Sequence, residues 1–181
     1  MIHLITGGSG SGKSAYAEDW LKSRAKSGPL LYIATMQPFG EEAKKRIERH
    51  HVLRKGKGFA TLECYTDLAQ ADIPHANGIL LECMSNLVAN ELFREDGRLN
   101  DRKETREKIL QGVLHLTGTT DVLAIVTNEV TADLQDYSEE TKIYQSLLGE
   151  INQELAKLAD IVTEVVYGIP VVVKQSEKNM E

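Results

Sequence analysis

Eight consecutive residues, Gly7–Ser14, have the composition of a phosphate-binding loop. They read Gly-Gly-Ser-Gly-Ser-Gly-Lys-Ser and match the P-loop pattern of a glycine, four residues, and then Gly-Lys-Ser. Glycines allow successive backbone N–H groups to face phosphate oxygens without a side chain in the way. The Lys13 ammonium can bind the terminal phosphates and assist catalysis, and the Ser14 hydroxyl can ligate Mg²⁺. We therefore predict nucleotide contacts at Gly7, Gly8, Ser9, Gly10, Ser11, Gly12, Lys13 and Ser14.

The segments on either side of the loop support this interpretation. A flexible glycine turn would have a similar composition, but it would not need a strand before it and a helix after it. Ile2–Thr6 is a short apolar strand, and a helical stretch begins at Lys13. The N-terminus of that helix directs its partial positive charge at the same anion.

A second stretch that could do chemistry lies between Lys44 and Lys55, where basic residues are concentrated. On a helix, Arg46, His50 and Arg54 would lie one turn apart on a single face. A neutral imidazole is a competent nucleophile, and neighbouring cations would lower its pKa and stabilise the attacked phosphate. A solvated basic face is the ordinary alternative. The spacing alone leaves both interpretations open.

Length, charge and cysteine content set broad limits. The 181 residues fit one domain covering residues 1–181, and the net charge of -6 gives no support for nucleic acid as a partner. Cys64 and Cys83 are too few and too far apart for a disulfide framework, which suits a reducing cytoplasm. Charged residues within the first 20 argue against a signal-peptide core, and no apolar run approaches the roughly 20 residues of a membrane span. We expect a soluble cytoplasmic protein.

The remaining sequence alternates apolar segments of strand length with longer segments of helical period. This order is typical of an α/β fold with a mostly parallel sheet that helices cover on both faces. The last two strands flank Gly168-Ile169-Pro170 and predict a C-terminal hairpin. The predicted strands are Ile2–Thr6, Leu30–Ala34, Phe59–Cys64, Ile79–Leu81, Val122–Val126, Ile161–Val166 and Val171–Lys174. Further predicted elements are a turn at Pro74–Gly78 and helices over Glu41–Lys55, Ser85–Arg94, Arg102–Leu116 and Glu139–Ala159.

Polar residues follow several predicted strands, at the edge where parallel sheets bind their ligands. Glu82 follows an apolar strand and occupies the usual position of a carboxylate on the Mg²⁺ side, so we predict metal and nucleotide contact there. Any other single acid at this edge is as well explained as an exposed strand end. The ends of the second and third strands add predicted nucleotide contacts at Ala34, Thr35, Met36 and Glu63. After the fifth strand, we expect Asn128 and Glu129 on the substrate side.

The motifs combine into a pattern that covers nearly the whole chain. The P-loop is common to many families, but the Arg-Ile-x-x-His element at Arg46–His50 and the Asn-Glu-Val element at Asn128–Val130 are more specific. The other matching segments are Thr6–Gly8, Ser11–Ser14, Tyr32–Thr35, Arg54, Leu80–Cys83, Gly149, Asn152-Gln153, Ala159-Asp160 and Gly168–Pro170. With these segments the chain resembles the bifunctional adenosylcobinamide kinase/adenosylcobinamide-phosphate guanylyltransferase family of cobalamin biosynthesis.

That resemblance implies two reactions. In the first, the aminopropanol hydroxyl of adenosylcobinamide takes the γ-phosphoryl group of ATP or GTP. In the second, the histidine that aligns with His50 takes GMP from GTP, releases pyrophosphate, and passes GMP to adenosylcobinamide phosphate. His51 is the reserve nucleophile, and Arg46, His51 and Arg54 become predicted nucleotide contacts. The resemblance also implies Mg²⁺, a RecA-like sheet and a homotrimer.

One loop departs from the family pattern. After the Asn-Glu-Val element the family continues with a glycine-rich stretch, whereas this chain has Thr131–Tyr137. Lys142 and Tyr144 stand near a position that is basic in the family. The departure bears on a corrinoid or subunit contact rather than on the nucleotide chemistry.

Two other functions compete with this interpretation. One is a P-loop kinase for another small alcohol, in which the basic face around His50 only clamps phosphate. The other is a non-catalytic switch that binds ATP or GTP and signals to a partner. The presence of Lys13, Ser14 and Glu82 together argues against the switch, because binding alone does not require all the groups that metal-assisted phosphoryl transfer uses.

Overall fold

A computed structural model describes residues 1–25, 27–41, 45, 47–48, 56–129 and 137–176. Its strands are β1 (Ile2–Thr6), β2 (Leu30–Ala34), β3 (Phe59–Glu63), β4 (Ala76–Glu82), β5 (Thr120–Val126), β6 (Ile161–Val166) and β7 (Ile169–Gln175). Its helices are α1 (Lys13–Arg24), α2 (Met84–Leu92), α3 (Arg102–Thr117) and α4 (Glu139–Leu158), with a short 3₁₀ turn at Leu68–Gln70. Within this part of the chain the strands form one sheet in the order β3-β2-β4-β5-β1-β6-β7.

The sheet is parallel except for its last strand. β1 pairs in parallel with both β5 and β6, whereas β7 returns antiparallel to β6. The central strands are nearly continuous apolar runs because both of their faces are covered. Along β4, Leu80 packs in the core beneath α1, whereas Ile79 and Leu81 pack in the opposite core with α2, α3 and α4. The predicted α/β fold, a mostly parallel sheet with helices on both faces, is confirmed.

Local sequence signals account for the ends of two helices. Asp101 precedes α3, and its side chain accepts a hydrogen bond of 2.9 Å from the backbone N–H of Glu104. Ser138 precedes α4, and its hydroxyl accepts one of 3.3 Å from the N–H of Thr141. Such caps satisfy N–H groups that have no partner within the helix. α4 buries the apolar stripe Leu147, Leu148, Ile151 and Leu155 against the sheet.

Several predicted boundaries differ from the structure. β4 begins at Ala76, so most of the predicted turn Pro74–Gly78 is strand, because Ala76 and Gly78 pair with β5. α2 ends at Leu92 rather than at Arg94, because Phe93 forms a β-bridge with Leu99. The predicted C-terminal hairpin is confirmed, although β7 begins at Ile169.

Two predicted segments fall largely outside the described residues. They are the helix Glu41–Lys55 and the loop Thr131–Tyr137. The single-domain boundary of 1–181 stays a prediction. No described helix has both the length and the apolar character needed to cross a membrane.

Candidate functional site

The loop Gly7–Ser14 connects β1 to α1 and is bent by glycines with positive φ. Gly10 and Gly12 have φ values of 72° and 91°, which residues with a Cβ rarely adopt. A Cβ on Gly7 would lie 2.5 Å from the carbonyl oxygen of Val165 on β6. The Ser11 N–H donates to the Gly8 carbonyl at 3.2 Å and closes the loop. The backbone therefore has the glycine-dependent shape that a phosphate-binding nest requires.

Lys13 folds back over this loop. Its Nζ donates to the Gly8 carbonyl oxygen at 2.9 Å, and only 8% of the residue is exposed. Burial lowers the pKa of Lys13 from its ordinary value, and the nearby Cys83 and Glu82 side chains oppose that shift. An ammonium group held in this low-dielectric position interacts strongly with any anion that enters the loop.

Ser14 on α1 meets Glu82 at the end of β4. The Ser14 hydroxyl donates to Glu82 Oε1 at 2.5 Å. Glu82 Oε2 and the Ser11 hydroxyl are both buried and lack a hydrogen-bond partner. Buried oxygens without a partner are unusual, and hard divalent cations bind carboxylate and hydroxyl oxygens of this kind. The residues present therefore fit a Mg²⁺ ion.

Ser14 and Glu82 alone do not complete the coordination of a metal ion, so a bound ligand must supply further oxygens. Among the described residues no group of three or more His, Cys, Asp or Glu side chains could hold a metal ion alone. Mg²⁺ commonly binds through one or two protein oxygens, with phosphate oxygens and water completing its coordination. Ser14 and Glu82 thus suit a cation that arrives with a polyphosphate.

Thr35, at the end of β2, holds the segment that carries Glu82. Its hydroxyl donates to the carbonyl oxygen of Cys83 and accepts from the N–H of Cys83, both at 2.8 Å. Its own N–H donates to the Glu82 carbonyl at 3.0 Å, and Asn90 donates to its carbonyl at 2.8 Å. The hydroxyl of Thr35 is therefore engaged with the backbone of the carboxylate strand. Ala34 and Met36 lie half-buried on either side of it.

Glu63 lies at the same edge of the sheet but far from the P-loop. β3 is separated from β1 by β2, β4 and β5, which places it about 19 Å away at the usual strand spacing. The Tyr65 hydroxyl donates to Glu63 Oε2 at 2.6 Å, and this bond, together with burial, raises the pKa of Tyr65 to about 12. Glu63 therefore does not join Lys13, Ser14 and Glu82.

Asn128 and Glu129 follow β5, which lies between the Glu82 strand and the P-loop strand. The Asn128 amide donates to the Ser85 hydroxyl at 2.6 Å. Asn152 on α4 accepts a hydrogen bond of 2.8 Å from the Thr127 hydroxyl and donates to the Asn128 carbonyl at 3.4 Å. Glu129 is exposed. The sheet order thus brings Asn128 and Glu129 next to both Glu82 and the P-loop.

Further hydroxyl and thiol groups surround Asn128. The Sγ of Cys83 lies 3.0 Å from the Ser85 hydroxyl, and the Tyr144 hydroxyl donates to the Ser85 carbonyl at 3.1 Å. Burial raises the pKa of the Cys83 thiol. Burial and the neighbouring Cys83 raise the pKa of Tyr144 to about 12. Both groups stay protonated near neutral pH and act here as hydrogen-bonding groups.

The predicted basic face lies outside the described residues. It comprises Arg46, His50, His51 and Arg54. Their roles stay predictions.

Comparison with known proteins identifies the family. The family described as cobinamide kinase / cobinamide phosphate guanyltransferase matches residues 3–173. The chain belongs to this family. Membership confirms the family predicted from the motifs and the prediction of an enzyme.

Two curated relatives are similar along nearly their whole length. The chain is 33% identical over 185 residues to the bifunctional adenosylcobalamin biosynthesis protein CobU of Escherichia coli K12, and the match covers 96% of the chain and 100% of that protein. It is 32% identical over 186 residues to the protein of the same name from Salmonella typhimurium LT2, with the same coverage of both. Among solved structures, an ATPase of a bacterial type III secretion system matches 94% of the chain and 56% of that protein, at 11% identity and a TM-score of 0.51. That last likeness concerns the fold alone.

The sequence assigns no role to some residues of the candidate site. Ser85, Tyr144 and Asn152 lie on helices. Asn152 and the neighbourhood of Tyr144 belong to the family pattern, which gives neither residue a role, and the hydrogen bonds of the structure gather all three residues around Asn128. Asn152 immediately follows Ile151 of the buried stripe of α4. Apart from the family pattern, the signal at Asn152 is a polar residue beside a buried stripe, and polar residues at such positions are common on helix surfaces.

Proposed function

We propose that the chain is a bifunctional cobinamide kinase and cobinamide-phosphate guanylyltransferase. The observation that carries the kinase half is the meeting of Lys13, Ser14 and Glu82 at one edge of the sheet. Positive charge and metal-binding oxygens there match what phosphoryl transfer requires, since that reaction depends mainly on positioning and electrostatic stabilisation. The description of the family names both activities and cobinamide, and the relatives are named as bifunctional adenosylcobalamin biosynthesis proteins, so cobinamide is the proposed acceptor.

In the first reaction, the hydroxyl oxygen of adenosylcobinamide forms a bond to the γ-phosphorus of ATP or GTP. The bond between that phosphorus and the β–γ bridging oxygen breaks, and the nucleoside diphosphate leaves. The P-loop N–H groups and Lys13 hold the phosphates, and Lys13 offsets the charge that develops on them. Asn128 lies on the acceptor side, and the exposed Glu129 carboxylate is our candidate to take the hydroxyl proton.

Mg²⁺ is the proposed cofactor of this step. Ser14 and Glu82 are the residues that would hold it. When bound, it would neutralise charge on the β- and γ-phosphate oxygens.

In the second reaction, a ring nitrogen of His50 forms a bond to the α-phosphorus of GTP, and pyrophosphate leaves. A phosphate oxygen of adenosylcobinamide phosphate then attacks the same phosphorus, the P–N bond breaks, and adenosylcobinamide-GDP is released. Splitting one substitution into two in this way is typical of covalent catalysis. Support for His50 comes from the family resemblance and from its spacing with Arg46 and Arg54.

Labelling with GTP tests the second reaction. Pure protein incubated with α-labelled GTP and Mg²⁺ and then denatured should carry acid-labile, alkali-stable label. His50→Ala should abolish the label while leaving kinase activity close to that of the wild type, and His51→Ala is the matched control that should retain the label. Label that persists in the His50 variant would assign the nucleophile elsewhere, and wild-type protein that never labels would leave a plain kinase.

A homotrimer is also part of the proposal. The edge strand β7 exposes an apolar surface that a solvated edge strand would ordinarily avoid. Its exposed apolar residues are Ile169, Val171, Val172 and Val173, at 66%, 47%, 54% and 65% exposure. Light scattering at micromolar concentration should give the mass of three chains, and Val172→Lys should reduce it. A fully active wild-type monomer would refute this assembly.

A further inference from the structure

An unusual turn joins β6 to β7. Val166 pairs with Ile169, so the connection contains only Tyr167 and Gly168. Both have positive φ values, of 51° and 81°, as a tight hairpin turn of this length requires. Asn, Asp or Gly ordinarily occupies the first of these positions, because an L-residue with a bulky side chain is strained there. A tyrosine in this position indicates a use for its ring that offsets the strain.

The turn is fixed to the P-loop. The Gly168 N–H donates to the Ser11 carbonyl oxygen at 2.8 Å. A Cβ on Gly12 would lie 3.5 Å from the Gly168 Cα, and a Cβ on Gly7 would clash with the Val165 carbonyl oxygen. Ser11 of the phosphate loop thus bonds directly to the turn, and Gly7 and Gly12 lie close enough to the end of β6 and its turn that an added Cβ would touch them.

The ring of Tyr167 contributes nothing to the described core. The residue is 95% exposed, although its neighbour Gly168 is hydrogen-bonded to the P-loop backbone at Ser11. An exposed aromatic face beside a nucleotide loop can still contact a ligand. Tyrosine offers a broad apolar face at low entropic cost, and nucleobases stack on such faces.

The order of strands decides on which side of the P-loop a base would lie. β1 has β5 on one side and β6 on the other. The β5 side leads to Asn128 and Glu82, the groups assigned to the reacting end of the triphosphate. The opposite end of the nucleotide therefore leaves the loop over β6, where the hairpin turn presents Tyr167.

We propose that Tyr167 is the stacking platform for the purine base of the nucleoside triphosphate bound at the P-loop. This inference rests on the proposed function, because it requires the P-loop to hold a nucleotide. Stacking uses the π-face that every base has, so the platform accepts adenine and guanine alike. It makes no contact with the phosphates.

Binding of three ligands to the full-length protein, each with Mg²⁺, tests the platform. The ligands are ATP, GTP and inorganic tripolyphosphate, which lacks a base and a ribose. Tyr167→Asn removes the ring and keeps a residue that suits the turn, and Tyr167→Phe is the matched control that keeps a stacking face. We expect the Asn variant to bind ATP and GTP about tenfold more weakly and tripolyphosphate unchanged, and the Phe variant to match the wild type.

Each other outcome overturns the platform, and the outcomes differ from one another. Equal weakening of tripolyphosphate binding would mean that the substitution distorts the loop. Unchanged nucleotide binding in the Asn variant would mean that the base lies elsewhere. A fall in mass by light scattering would make Tyr167 an assembly contact. Wild-type protein that binds none of the three ligands would refute the nucleotide site itself, and with it the proposed function.

Discussion

His3 should make the folded protein sensitive to mild acid. It lies fully buried as the second residue of β1, where its Nε2 is 2.8 Å from the Thr163 hydroxyl and its Nδ1 has no hydrogen-bond partner. Its ring makes edge contacts with Trp20 and Tyr16, with centroids 4.3 and 5.9 Å away. Burial, assisted by the positive charge of Arg24, lowers the pKa of His3 from 6.5 to about 4. The folded state therefore holds a neutral imidazole.

The size of the effect follows from the two pKa values. The unfolded chain binds a proton at His3 near pH 6.5, whereas the folded chain resists it until about pH 4. Proton binding therefore stabilises the unfolded state relative to the folded state as the pH falls between these two values. At about 1.4 kcal/mol for each pH unit, the full penalty below pH 4 is about 3 kcal/mol, and at pH 5 it is about 2 kcal/mol. Above pH 6.5 the penalty is absent. Such a loss is a large fraction of the stability of a typical domain.

Urea unfolding at several pH values measures this penalty. We compare the wild type with His3→Gln at pH 7.5, 6.5, 5.5 and 5, and use His75→Gln, which removes an exposed histidine, as the matched control. A constant destabilisation of the Gln variant is expected from lost packing and is not the readout. The readout is the change with pH: between pH 7.5 and 5 the wild type should lose about 2 kcal/mol more than His3→Gln. Stability curves that run parallel within about 0.5 kcal/mol would refute the argument.

Three further predictions concern the candidate site. Lys13→Ala should lower kinase activity at least roughly a hundredfold in a phosphorylation assay, because a charge at the transferring group is lost, and activity within a few-fold of wild type would mean that the loop is misassigned. Glu82→Gln keeps an acceptor for Ser14 but removes the carboxylate charge, so a Mg²⁺ titration should reach half-maximal activity at a higher concentration; an unchanged midpoint would remove Glu82 from the metal site. Asn152→Ala removes the anchor of Thr127 and Asn128 and should lower kcat about tenfold with little change in KM for ATP. A rise in KM alone would contradict that positioning role.

The parts of the fold that could be predicted from the sequence depend on neighbours along the chain. The P-loop is a continuous motif. β2 and β5 can be recognised as apolar runs, because parallel strands buried on both faces need no alternation of apolar and polar residues. The hairpin was also predicted, but its turn was misplaced by about one residue. Gly168-Ile169-Pro170 has the composition of a turn, whereas the backbone turns at Tyr167-Gly168, because Val166 and Ile169 pair.

The rest of the site depends on which strands become neighbours. Thr35 and Glu63 both end strands at the ligand-binding edge, yet the sheet order puts β3 far from the P-loop and uses the Thr35 hydroxyl to hold Cys83. Asn152 reaches the edge only because α4 packs against the end of β5. Sequence spacing contains none of these long-range pairings. It therefore predicts which residues lie at the ligand-binding edge, but not which of them lie close to the P-loop.

The position of β1 in the sheet has a consequence for how the protein is made. β1 is synthesised before its neighbours β5 and β6, which begin at Thr120 and Ile161. At 5 to 20 residues per second, the ribosome takes about 6 to 24 s to proceed from Ile2 to the start of β5. During that interval the apolar strand that carries the phosphate loop has no partner strand. It must therefore be kept from associating with other exposed hydrophobic surfaces. A ligand of the phosphate loop therefore cannot stabilise the nascent chain early in synthesis, because the strands on either side of β1 form only when the last third of the protein has emerged.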